Sequence, residues 1–265
     1  MTLSAFRQDL RVLFLTFEIT LKMIAVDSFV LFGILIQPLI IAVLAIWMLT
    51  PKDPTQAIFV VIGSGMTGLW STLLFIGGNS ITRERWTGTL ESLVAQPTPL
   101  SYVIFGKNLA SVLQSLLSML ASYALAALLF DLELRIVQPL PFAVSIVLTV
   151  FSFVCFGLIL APVFLLNPAV QQWQNAMEFP VYILAGFLFP IALLPGWTTP
   201  FSYLLAPYWA ARALHATANG SATPQELALS WGMMALFGTL YLVFSRYLLR
   251  VILRKARADA TLGLE

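Results

Sequence analysis

Apolar residues fall in long runs along nearly the whole 265-residue chain. A helix that crosses a bilayer needs about 20 mostly apolar residues, set by a hydrocarbon core of about 30 Å and a rise of about 1.5 Å per residue. Six segments meet that requirement: Phe29–Leu49, Ala57–Gly78, Leu109–Phe130, Leu140–Leu166, Ala176–Leu194 and Leu227–Leu249. Each is expected to be helical, because an open sheet leaves backbone groups unsatisfied in lipid.

The first stretch has a different pattern. Leu3, Phe6, Leu10, Leu13, Phe14, Phe17, Leu21 and Ile24 recur at three- and four-residue steps, and Arg7, Gln8, Arg11, Glu18 and Lys22 fill much of the other side. That pattern predicts an amphipathic helix in residues 1–27, lying in the inner interface of a membrane with its basic residues toward lipid headgroups. A soluble cytoplasmic helix is the alternative. Asp9, Glu18 and Asp27 interrupt the stretch, so it does not read as a signal peptide.

Between the runs the connections are short, except for residues 195–226. That segment carries Trp197, Phe201, Tyr203, Tyr208 and Trp209, broken by Pro195, Pro200 and Pro207. Aromatics of this kind suit the water boundary of a bilayer. The expectation is a broken or re-entrant outer segment whose freed backbone groups are covered by other helices; a plain interfacial loop is the alternative.

Composition agrees with the pattern. The chain is 60% hydrophobic and 10% charged, whereas soluble domains are near 45–50% apolar and about 25% charged. No polar stretch is long enough for a separate soluble domain, so residues 28–253 read as one six-helix domain followed by a cytoplasmic tail, 254–265. The fold class is all-α and integral to a membrane. Charge sets its orientation. With both termini inside, the inner segments hold Arg7, Arg11, Lys22, Arg83, Arg85, Lys107, Arg246, Arg250, Arg254, Lys255 and Arg257, against Lys52, Arg135 and Arg212 outside. This asymmetry follows the positive-inside rule, and the expected location is the plasma (inner) membrane, multi-pass.

Several chemistries are disfavoured. Gly63, Gly65 and Gly68 match G-x-G-x-x-G, but within an apolar run rather than between a strand and a helix. A small-residue face for close helix packing is the better reading. The P-loop pattern G-x-x-x-x-G-K-[ST] is absent, and one histidine, His215, with one cysteine, Cys155, disfavours a His/Cys metal site. No cofactor is expected. The basic residues form no patch suited to nucleic acid, and no catalytic constellation appears, so the chain is not read as an enzyme.

Two groups of polar residues in or near the spans are pathway candidates. Ser111, Ser115, Ser118 and Ser122 share a face of the third span, with Gln114 beside them; helix packing through small polar residues is the alternative. Glu178 lies near the inner end of the fifth span, where an ionisable group is a functional candidate by default. Its alternative is a carboxylate that pairs with a neighbour or reaches inner-surface water.

The connection between spans two and three, residues 81–97, carries most of the charge pattern. Arg83, Glu84 and Arg85 precede Gly88, and a short helix follows with Leu90, Leu93 and Val94 on one face and Glu91 in its first turn. Gly88 is expected to cap that helix. A short helix with an apolar ridge and charged flanks suits docking into a groove on a partner; an interfacial loop is the alternative.

The run Arg83-Glu84-Arg85, Gly88-Thr89-Leu90-Glu91, then Pro97 and Gly106-Lys107, resembles the cytoplasmic segment of ABC-2 type transporter permeases. Asn167-Pro168, Gly186, Phe189-Pro190, Leu194 to Trp197, Pro207-Tyr208-Trp209 and Arg212 extend the resemblance over nearly the whole chain; Ala206 stands where the family usually has Asn before the proline. The resemblance implies a permease subunit without its own ATP site. Two separate ABC-type ATPase subunits would drive it, and a second permease copy or a related permease would complete the pathway. Arg83, Glu84, Arg85, Gly88, Thr89, Leu90, Glu91, Leu93 and Val94 would form the coupling segment that meets the ATPase. Small outer loops suit export, and the apolar, aromatic wall suits an amphipathic or lipid-like compound such as a drug, a peptide or a lipid-linked product. Export of a polysaccharide or lipid-linked glycan is the second reading. A secondary transporter would usually show internal repeats and midplane ion sites, and neither is clear here.

Overall fold

Prolines open half of the described α-helices. Pro54, Pro139 and Pro224 are the first residues of three of them, and Pro200 and Pro207 stand in the first turn of two more. A missing N–H is harmless in a first turn, where helix donors have no partner in the helix. The computed structural model describes residues 3–26, 54–96, 99–130, 135–165 and 169–258, with isolated positions between 28 and 47. The described elements are α1 (Leu3–Val26), α2 (Pro54–Thr72, continued by a π-turn Leu73–Gly77), α3 (Ser80–Trp86), α4 (Leu90–Val94), α5 (Leu100–Phe130) and α6 (Pro139–Leu165). They continue with α7 (Val170–Leu184), α8 (Thr199–Tyr203), α9 (Ala206–Asn219) and α10 (Pro224–Ala258). No strand occurs among the described residues.

Three stretches are long and apolar enough to cross a membrane: Ile58–Trp86, Pro139–Leu165 and Pro224–Val251. They contain the sixth expected span and all but the first residue of the second, and reproduce the fourth to within one residue. The third expected span forms the later part of α5, whose 31 residues reach about 46 Å. The first, Phe29–Leu49, lies outside the described residues apart from isolated positions.

The fifth differs from expectation. Instead of a helix over Ala176–Leu194, α7 ends at Leu184 after 15 residues, about 22 Å. Gly186 stops it at φ +68°. The Gly186 N–H donates to the Ile183 carbonyl (3.1 Å) and the Phe187 N–H to that of Tyr182 (3.2 Å), the two bonds of a Schellman turn. Two short 3₁₀ turns follow, Ile191–Leu193 and Gly196–Thr198.

α2, α6 and α9 build the central core, in which Leu69, Trp70, Phe153, Phe187 and Leu214 are buried. α10 packs along α6 and leaves Leu229, Leu236, Leu240, Val243 and Phe244 exposed, an outer face suited to lipid. Its start is a capping box: the Glu226 N–H donates to the Thr223 hydroxyl (3.3 Å) and the Thr223 N–H to the Glu226 carboxylate (3.4 Å).

α1 is helical over the expected stretch, but its apolar residues divide differently. Ile24 is buried, Leu10, Leu13, Phe17 and Leu21 are partly covered, and the helix packs on α5. A Cβ added at Gly106 of α5 would lie 2.7 Å from the Leu13 carbonyl. Phe14, Leu15, Ile19, Met23 and Val26 are the exposed apolar set. Most of the stripe read as a membrane face therefore holds α1 to the bundle, and a neighbouring stripe faces out. On the polar side Lys22 donates to Glu18 (2.6 Å), and that bond holds the Glu18 carboxyl below its ordinary pKa.

Candidate functional site

The end of the bundle that the charge pattern assigns to the inner side is built around the α3–α4 hairpin. α3 ends in the same Schellman turn as α7: the Thr89 N–H donates to the Glu84 carbonyl (2.9 Å), the Gly88 N–H to that of Arg85 (3.1 Å), and Gly88 sits at φ +71°. Gly88 therefore closes α3, and Thr89 occupies the N-cap of α4. The expected N-cap role of Gly88 is corrected by one position, because the left-handed conformation that ends a helix cannot begin the next.

The apolar ridge of α4 faces the chain itself. Leu90 is 2% exposed among Ile81, Leu100, Val103, Ile104, Leu158 and Leu249, with Leu93 and Val94 packed at the edge of that cluster. The exposed residues are Arg83, Trp86, Thr87, Gly88, Thr89, Glu91 and Ser92, while Glu84 and Arg85 are partly buried. The surface presented outward is thus a polar tip flanked by the exposed Trp86, and the leucine ridge is its anchor. Glu84 joins the tip to the bundle. It accepts hydrogen bonds from the Thr89 hydroxyl and from Lys107 of α5, and Lys107 also donates to the Ser80 carbonyl (3.2 Å).

Above this hairpin, polar side chains from two other helices secure α2. The π-turn takes carbonyls out of α-helical register. Gln174 of α7, fully buried, donates to the Leu74 carbonyl (2.8 Å), and Asn79 donates to that of Phe75 (3.0 Å). Asn108 of α5 is also fully buried. Assigned by hydrogen-bond sense, its amide donates to the Gly77 carbonyl (3.3 Å) and accepts from the Leu158 N–H (3.3 Å). A Cβ at Gly157 would stand 2.4 Å from that amide, so the glycine makes room for it. Sequence reasoning passed over Asn108 and Gln174. The available signal was an amide at the inner edge of an apolar run, a place where boundary residues are also found.

Glu178 faces this same region. Ser71 donates to its carboxylate at 2.6 Å and Tyr182 at 2.7 Å, and the two hydroxyls also touch each other. The carboxylate is 8% exposed and clamps α7 to α2. In the serine stripe, Ser111 and Ser115 are buried and donate to the carbonyls one turn back, of Lys107 (3.0 Å) and Ser111 (3.1 Å). Gln114 is partly buried, and the side chains of Ser118 and Ser122 lie outside the described residues.

At the opposite end, residues 195–226 fold as broken helices. α9 is buried against α2, α6 and α10 along most of its length. Its His215 ring stacks on Phe59 (3.7 Å between centroids, 13°), and Nε2 lies 3.1 Å from the Phe187 carbonyl. The same carbonyl oxygen would be 1.9 Å from a Cβ at Gly63, and a Cβ at Gly65 would overlap Met119. The G-x-G-x-x-G run is accordingly a close-packing face, as its apolar setting implied.

An inner hairpin of this sequence, anchored on a helical membrane domain, agrees with the comparison by family. The ABC-2 type transporter profile matches residues 12–218. The chain belongs to the ABC-2 type transporter family. It is therefore a membrane component of transport, and permeases of this family work with ABC ATPase subunits. No curated protein aligns significantly with the chain.

Proposed function

We propose that this ABC-2 permease is the membrane subunit of an ATP-driven exporter of an amphipathic or lipid-like compound, with two ATPase subunits docked on the α3–α4 hairpin and a second permease completing the pathway. The observation that carries the reading is the polar tip, Thr87 to Thr89 with Glu91 and Ser92, held to α5 through Glu84 and Lys107. Closure of an ATPase pair on ATP would displace the tips, and these links would pass the displacement to α2 and α5. That is a two-state element biased by a ligand. Leu90 serves as the anchor, so its part in coupling is to keep the tip attached.

A cavity of about 720 Å³ supports an amphipathic cargo. It lies between α1, α3 and α5, with Ile19, Met23 and Val103 on its walls and Lys22, Lys107 and Ser111 at its polar edge. Its size falls within the range of about 300–1,000 Å³ usual for small-molecule sites. Its polar edge, Lys22 and Lys107, is on the side assigned to the cytoplasm, which suits loading from the inner leaflet.

The test is copurification from native membranes followed by ATPase assays. A subunit with a P-loop should accompany the chain, and Glu91→Arg or Ser92→Arg should abolish permease-stimulated ATP hydrolysis while the melting temperature of the permease stays unchanged. An active chain with no ATPase partner, or full stimulation by both variants, would refute the reading.

A further inference from the structure

The cavity of about 720 Å³ is charged as well as apolar. Among the described residues its wall holds three cations, Lys22 of α1, Arg83 of α3 and Lys107 of α5, and one carboxylate, Glu84. Lys107 is committed to Glu84 and to the Ser80 carbonyl (3.2 Å). Lys22 pairs with Glu18 (2.6 Å), a residue off the cavity wall, and the two side chains are 74% and 57% exposed. An ion pair so open to water is held weakly, so the Lys22 ammonium can turn to a stronger anion at little cost.

Three elements thus aim cations at one space, two more than the carboxylate there balances. A cationic ligand would be repelled, and a neutral one would leave the excess uncompensated. A phosphate suits it, because lysine and arginine bind phosphate through charge-assisted hydrogen bonds.

The rest of the wall selects among phosphates. Ile19, Met23 and Val26 of α1 line the cavity with Ile76 and Val103. The first three also belong to the exposed apolar set of α1, so the cavity shares its wall with the face turned to lipid. A soluble phosphate has no use for such a wall. A phospholipid uses both parts, its headgroup at the cations and its chains along the exposed side of α1.

The place of the headgroup gives it a consequence. Arg83 belongs to α3, and Lys107 links α5 to the hairpin through Glu84. A phosphate shared with Lys22 would tie α1 into that same link and hold the α3–α4 hairpin on three helices.

We propose that this cavity holds one anionic phospholipid of the surrounding membrane, its phosphate among Lys22, Arg83 and Lys107, and that the lipid braces the α3–α4 hairpin. The inference rests on the reading of this cavity as a site for an amphiphile and adds the charge of its headgroup. It is tested without ATP or an ATPase, so it can fail while the export reading stands, and the reverse.

The experiment uses the full chain in phosphatidylcholine nanodiscs with a trace of spin-labelled phosphatidylglycerol or spin-labelled phosphatidylcholine, and electron paramagnetic resonance measures the immobilised share of each. Phosphatidylglycerol should be held at least threefold better. Lys22→Gln combined with Arg83→Gln, both at exposed positions, should bring the ratio close to one. Arg7→Gln combined with Arg11→Gln removes the same charge outside the cavity and should keep most of the preference. With phosphatidylglycerol as about a third of the lipid, hydrogen exchange at Gly88 and Thr89 should slow at least threefold in the parent and stay unchanged in the Lys22/Arg83 variant. No preference in the parent, or an equal loss in both double variants, would leave only general attraction to a basic surface and overturn the proposal. So would release of the label by inorganic phosphate at constant ionic strength, which would make the occupant a soluble anion, or exchange at the hairpin that ignores the lipid.

Discussion

The two Schellman turns at Gly88 and Gly186 share a backbone and differ in everything around it. At Gly88 nothing lies within 4 Å of the place a Cβ would occupy; at Gly186 an Ile191 methyl is 2.9 Å away and the next residue, Phe187, is fully buried. One turn projects a polar tip, and the other folds the chain back under α9. The same device thus makes a surface at the inner end and a core at the outer end, and the flanking side chains decide which. Next to Gly88 these are Thr87 and Thr89, with the exposed Trp86 and the buried Leu90 beyond them. Around Gly186 they are Ala, Phe and Leu.

The contrast can be tested by substitution, and the largest expected effect lies at the anchor of the polar tip. Leu90→Asp places a carboxylate in an apolar cluster, at a cost on the order of 3 kcal/mol. The hairpin should come loose, seen as faster proteolysis at Arg83 and Arg85 and loss of ATPase stimulation, while the spans still insert. If Leu90→Asp left both readouts unchanged, the tip would not depend on its anchor. Gly186→Ala comes next. It combines left-handed backbone strain of about 1–2 kcal/mol with crowding against Ile191, and should lower the melting temperature more than Gly88→Ala. At Gly88 only the strain applies, so that variant should cost about 1 kcal/mol and weaken coupling mildly. Equal effects at the two glycines would break the comparison. The smallest change is expected of Glu18→Gln, which removes one partner of a fully exposed ion pair and should leave the melting temperature where it was.

The sequence made the inner end easier to read than the outer. Exposed charge at Arg83–Arg85 with Gly88 and Thr89 is a local pattern, and its element appears where the spacing put it. The direction of Leu90 was not local. A three-residue apolar ridge looks the same whether it meets a partner or its own bundle, and only the tertiary positions of Ile104, Leu158 and Leu249 decide. The end of α7 failed for another reason. Apolar content continues through Leu194, and hydropathy alone does not register that Gly186 adopts a conformation incompatible with a helix. His215 was hidden because its stacking on Phe59 is a property of the packed structure. The family resemblance was carried by residues at turns and ends, whereas Asn108 and Gln174, which tie the helices together, looked like ordinary boundary polars.

The π-turn at Leu73–Gly77 has a geometric consequence. An α-helix advances about 100° per residue, so one inserted residue offsets everything beyond it by that angle. Gly63, which touches the outer turn, and Arg83, which borders the inner tip, are therefore indexed to each other through this insertion. Gln174, Asn79 and Asn108 lock the offset by holding the displaced carbonyls. Deleting a single residue there would restore a plain helix and swing the tip around the axis of α2 by about a quarter of a turn. The direction in which the hairpin points is written into the length of α2 as much as into the residues of the hairpin itself.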